Sequence, residues 1–181
     1  MTSSAGPVWV DHHLLLNAMS VLRNRMATGV GDPVALLDAI SGYLSSGLYI
    51  EKRGSVARVT WLLDWIDCLA PVRDSVDPLG TTFAVAIAPG GDDDRVAHLG
   101  HAADVTRALL AASPGAAPGQ CWQVELRLAD DRLHVRVTGA DAGLRARWQA
   151  LADARPEGAV RLEAAVRADA VECSALLPDG S

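Results

Sequence analysis

The sequence contains one lysine, Lys52, one phenylalanine, Phe83, and three cysteines in 181 residues. So little lysine, with a net charge of -6 at pH 7, leaves no basic arm. Phosphate-backbone binding draws on clustered cations that displace counterions, so no nucleic-acid partner is expected. Cys68, Cys121 and Cys173 are odd in number, far apart and free of CxxC spacing. They read as reduced, buried thiols rather than a disulfide framework or zinc site. Long apolar runs are missing too. Residues 83–88 (FAVAIA) are far shorter than the roughly 20 residues that cross a bilayer. The opening MTSSAGP lacks the charged and apolar segments of a secretory leader. The expectation is a cytoplasmic protein with no membrane segment.

What is present is apolar bulk. Half of the residues are hydrophobic, enough for a packed core in one domain or two small ones. Over residues 8–27, Leu15, Ala18, Met19, Leu22 and Met26 recur at helical steps until Gly29 and Gly31. Asp32-Pro33 then supplies an N-cap and a first-turn proline, and Leu37, Ile40, Leu44 and Leu48 carry a second stripe. Two helices joined by a short turn form an antiparallel hairpin with too much apolar surface to stand alone. It must pack on the rest of the chain or on a second copy, and a homodimeric four-helix bundle is the simplest arrangement.

Beyond Gly54-Ser55, residues 59–70 read as a third helix stopping before Pro71, followed by a strand over 81–88 and a helix over 98–112. Residues 122–128 and 133–137 alternate with period two around a short turn, a hairpin pattern. Residues 145–154 read as helix, 159–168 as helix or strand, and 171–177 as a last strand. The fold class is therefore α+β: a helical hairpin over residues 1–73 and an α+β layer over 74–181.

Residues 13–20, HLLLNAMS, resemble the HFLFNALN phospho-acceptor motif of LytS-type sensor histidine kinases, keeping the histidine and the asparagine one turn later. Residues 39–44 (AISGYL) resemble the AI-x-x-L-S-x-LLRY helix of that family, and residues 59–62 (VTWL) its linker into the catalytic domain. The resemblance implies that His13 accepts a phosphoryl group. Neutral imidazole is nucleophilic near pH 7, and Asn17, four residues on, shares its helical face and can hydrogen-bond a phosphoryl oxygen. His12 is the alternative acceptor, but it lies about 100° round the helix and lacks the His-to-Asn spacing. Asp11 either caps the helix or orients an imidazole. Ser20 and Arg23, with Asp11, are candidate partner contacts. The competing reading makes the two histidines plain polar residues at a helix start.

The second half resembles the kinase ATP-binding domain with its ATP machinery worn away. Where that family has an Asn-bearing helix of the type LVENAIKH, residues 103–110 read ADVTRALL, without asparagine. The DxGxG box is reduced to Asp141 and Gly143, and the later Gly-rich loop to Gly158 alone. Phosphate and magnesium need such backbone loops and ligands, so a degenerate ATPase-like α/β sandwich with no cofactor is implied. His98 and His101, with Asp104, would share a helix face but lack further ligands. Asp92-Asp93-Asp94 reads as a turn, and Trp9 as a residue at a partner interface.

The implied function is histidine phosphotransfer between response-regulator receiver domains, with magnesium held by the receiver. The alternative is a non-catalytic regulator that binds a receiver or a histidine kinase, in which His13 is a relic.

Overall fold

The first of the described residues is a buried tryptophan, Trp9, which sets the start of the first helix. The structure, a computed structural model, describes residues 9–77, 82–88, 94–111, 121–139, 142–163 and 170–180. Helix α1 (His12–Thr28) starts where the Asp11 carboxylate accepts the backbone N–H groups of His13 and Leu14, at 2.9 and 3.1 Å. Gly29 ends it in the left-handed conformation, φ 68°, which an unbranched backbone adopts without strain. Helix α2 (Pro33–Lys52) repeats the device with Asp32 as cap and Pro33 in its first turn. The Asp32-Pro33 signal was plain in the sequence, whereas the first helix starts at His12 rather than near residue 8 as its apolar pattern suggests.

The hairpin packs on helix α3 (Val59–Val76), which contributes Leu62, Trp65, Ile66 and Leu69 to the core. The third helix thus supplies from the chain itself part of the cover the hairpin requires. It does not stop before Pro71 as the sequence suggests. Pro71 stands on the exposed side, and Val72 and Arg73 are buried beyond it, so packing carries the helix past the missing N–H. Helix α3 therefore runs through residues 73 and 74, where the sequence pattern puts its boundary.

A five-stranded sheet follows in the order β2 (Thr82–Ile87), β4 (Cys121–Ala129), β5 (Arg132–Thr138), β7 (Ala170–Leu176), β6 (Val160–Leu162), with β2 and β4 parallel and the other pairs antiparallel. Its inner face, including Trp122, Leu126, Val135 and Cys173, is covered by α4 (Gly100–Leu110) and α5 (Ala142–Asp153). The hairpin predicted around residues 129–132 is β4–β5. A two-stranded sheet of β1 (Val56–Arg58) and β3 (Val96–His98) had no sequence signal, being three residues per strand. The architecture is α+β, with five helices and two sheets among the described residues.

Three expectations need correction, and one ambiguity is resolved. His98 is on β3 and His101 on α4, so they share no helix face, and among the described residues no cluster of three His, Cys, Asp or Glu is placed to hold a metal. Trp9 is fully buried rather than at an interface: its indole N–H donates to Ser55 Oγ at 2.9 Å and its carbonyl accepts from Trp65 Nε1 at 2.9 Å. Cys121 is exposed at the start of β4, and only Cys173 of the three free thiols is fully buried. The ambiguous stretch 159–168 contains strand β6, which pairs with β7; residues 164–169, like Asp92, Asp93 and Asp141, lie outside the described residues. Among the described residues no helix is long and apolar enough to cross a membrane.

Two close contacts make tests of this packing. A Cβ on Gly42 of α2 would collide with Cys68 Sγ of α3. Gly42→Ala is expected to cost about 1–3 kcal/mol in urea unfolding, most of it recovered in the Gly42→Ala/Cys68→Ala double variant. Asp74 sits where α3 meets β2, accepting the Phe83 N–H at 3.1 Å, and burial raises its pKa to about 6. The folded state thus holds the proton more tightly than the unfolded chain, so this group lowers stability as pH rises from about 4 to 6. Asp74→Asn is expected to be more stable than the parent at pH 7.5, by on the order of 1–2 kcal/mol after solvent screening, with the advantage vanishing toward pH 4.

Candidate functional site

The segment around His13 is built from three helices. Trp65 of α3 holds the Trp9 carbonyl, and Tyr43 of α2 accepts the Asp11 N–H at 2.7 Å. Asp11 then uses its carboxylate to cap α1. That capping bond answers the sequence ambiguity for Asp11: its Oδ1 is occupied by backbone N–H groups, not by an imidazole. The histidines lie in the first turn of α1, both exposed. Asn17 is exposed one turn further on.

Turning about 100° per residue, α1 divides into three sectors. Leu14, Ala18, Leu22 and Arg25 face the core side, with Ala18 and Leu22 buried. Leu16, Met19 and Met26 form an apolar sector that is 65, 46 and 71% exposed, and His12 and Arg23 fall within it. His13, Ser20, Asn24 and Asn17 make up the polar sector beyond. The geometry therefore brings together His13, Asn17 and Ser20 and separates them from His12 and Arg23. Ser20 Oγ donates to the Leu16 carbonyl at 2.9 Å, an internal helix bond. Helix α2 has its own exposed apolar stripe in Val34, Leu37 and Leu48.

Asp104 of α4 pairs with Arg155, which follows α5. The segment around Gly158 is tied to the sheet: Arg132 donates to the Gly158 carbonyl at 2.8 Å and to Ser174 at 2.9 and 3.0 Å. Glu163 closes that cluster by accepting from Ser174 Oγ at 2.9 Å.

Two concavities escaped the sequence reading. One, of about 250 Å³, lies on the open face of the sheet among Glu125, Arg127, His134, Arg136 and Glu172. Alternating charges along β4 and β5 were its signal, masked because a solvated sheet face looks the same. The other, of about 370 Å³, lies between α1, α2, α3 and α4, lined in part by Asp11, Tyr43, Trp65, Arg73 and Arg107. Its signal was two arginines set in otherwise apolar helical stretches.

No protein-family model matches the chain, and no curated protein is a significant match. Among solved structures it is similar to the Acinetobacter baumannii histidine kinase AdeS, at 9% identity and a TM-score of 0.43, over 95% of this chain and all of that one. It is also similar to a histidine kinase from Burkholderia phymatum, at 12% identity and TM-score 0.44, and to a bacterial phosphotransferase, at 14% and 0.40. Each of these two likenesses covers 94% of this chain and all of the other. Likeness at this distance assigns neither family nor activity.

Proposed function

We propose that the chain is a histidine phosphotransferase that relays phosphoryl groups between receiver domains through His13, without binding ATP. The observation that carries this reading is the polar sector of α1. There the motif histidine and Asn17 are both open to solvent on one side of a helix whose start is fixed by three hydrogen bonds, Trp65 to Trp9, Asp11 to Tyr43 and Leu14 to Asp11.

In the reaction, the unprotonated ring nitrogen of His13 attacks the phosphorus of a receiver's aspartyl phosphate. The phosphorus–oxygen bond to the aspartate breaks, the carboxylate leaves, and the other ring nitrogen gives up its proton to water. Asn17 donates its amide N–H to a phosphoryl oxygen. The receiver brings the magnesium, and Ser20 adds to its docking surface. Transfer in the reverse direction loads a second receiver. The absence of asparagine from α4 supports the reading that no ATP is bound.

The exposed stripes of α1 and α2 support a homodimeric four-helix bundle. Leaving Leu16, Met26, Val34 and Leu48 each more than half exposed in a lone chain sacrifices burial worth about 25 cal/mol per Å². In such a dimer His12 and Arg23 lie toward the partner copy and His13 toward the receiver. Domains 1–73 and 74–181 then act as phosphotransfer bundle and docking layer in a cytoplasmic relay.

Two experiments test the proposal. Incubation with a panel of phosphorylated receivers is expected to give an acid-labile phosphoryl label that His13→Gln abolishes and His12→Gln leaves intact. Asn17→Ala should slow labelling about 10–100-fold, the value of a hydrogen bond to a charged group. If His13→Gln keeps the cellular effect and no receiver transfers label, the non-catalytic regulator takes its place. In light scattering, Leu37→Glu is expected to turn a dimer into a monomer; a parent protein already monomeric at micromolar concentration would remove the bundle.

A further inference from the structure

The cavity between the helical hairpin and α4 has an unusual lining for a gap in a core. Its walls are mostly apolar, with Leu14, Trp65, Leu69 and Leu110 among them, and its volume of about 370 Å³ lies within the 300–1,000 Å³ range of small-molecule pockets. Arg107 lines it with Nε and Nη2 shielded from solvent and without a hydrogen-bond partner among the described residues. The nearest compensating charge is Asp104, 3.8 Å from Nη2, and Asp104 is already engaged by Arg155. The Arg107 side chain as a whole is 34% exposed, but two shielded guanidinium nitrogens without an acceptor are costly, and arginine remains protonated in proteins.

The neighbours sharpen the chemistry. Tyr43 Oη accepts the Asp11 N–H, so its own hydrogen is free to donate, and burial raises its pKa and keeps that hydrogen in place. Arg73 turns its head away, to the Leu110 carbonyl at 3.3 Å and Asp77 at 2.6 Å, and lends the cavity its stem. Asp11 also borders the cavity, but its carboxylate is directed to the α1 backbone.

We propose that this cavity binds a small anionic amphipath, with a carboxylate or phosphate head on Arg107 and Tyr43 and an apolar body along Leu14, Trp65 and Leu110. The site is separate from the His13 sector and does not depend on phosphotransfer. Its occupant touches Asp11 and Leu14, so it bears on the turn that holds the two histidines.

Titration calorimetry of the full chain with octanoate, octyl phosphate and 1-octanol tests it. At least one anion is expected to bind with Kd below about 1 mM, with octanol at least 10-fold weaker; the stronger of the two anions identifies the head group. Arg107→Met should bring the anions down to the octanol level while leaving octanol unchanged, and Arg107→Lys should keep part of the preference. Ala111→Trp, at an exposed position on the rim, should weaken all three and serves if Arg107→Met does not fold. Equal binding of octanol and the anions, no heat from either anion up to about 1 mM, or binding indifferent to Ala111→Trp overturns the proposal. A His13→Gln chain should bind as the parent does, which keeps this result apart from the phosphotransfer test.

Discussion

The hydrogen bond from the Trp65 indole to the Trp9 carbonyl is the constraint from which the helical half takes its geometry. A backbone carbonyl buried without a donor would cost about as much as the bond contributes, so the strand-like residues before α1 are fixed where that indole sits. The Trp9 ring packs edge-on against Trp65, centroids 5.1 Å apart, and Tyr43 leans on the same indole at 6.2 Å. With Tyr43 placed, Asp11 is placed, and the cap then decides which residue opens α1. The rotational phase of His13, Asn17 and Met19 is inherited from a tryptophan more than forty residues away.

The elements with strong local chemistry were legible in the sequence. Asp32-Pro33 predicts the start of α2, Asp11 was one of two readings at the start of α1, and the alternation around residues 129–132 predicts the β4–β5 hairpin. The failures have one physical cause: tertiary burial overrode a local rule. Pro71 breaks helices by default, yet buried Val72 and Arg73 hold α3 together beyond it. Three-residue strands such as β1 and β3 carry too few residues for period two to register, and their pairing sets His98 on a strand. Trp9 looked like an interface residue because nothing local announces that Trp65 reaches it.

The candidate site was legible in part, for the same reason. Spacing alone relates His13 to Asn17, and the motif singles them out. That Ser20 joins them while Arg23 lies among exposed methionines is also a matter of helical phase, but it acquires meaning only once the buried face is known. Arg107 and Tyr43 could not have been paired from sequence, since α2 and α4 are brought together by α3 rather than by any pattern of their own. The sheet likewise hides its long-range ties: Arg132 spans β7 and the loop before β6 through three bonds that no periodicity encodes.

Helix α3 belongs to both halves of the molecule. Its first turns pack on the hairpin, and its last turn engages the sheet through Asp74 on Phe83 and the Arg73 guanidinium 5.1 Å from the Phe83 ring centroid, and the end of α4 through Arg73 on the Leu110 carbonyl. A flexible tether would absorb a pull on the sheet; a continuous rod with a proline on its outer side transmits it as rotation. Load applied by anything that grips the sheet therefore arrives at the Trp65 end of the rod, beside the first turn of α1, without a loose joint between them.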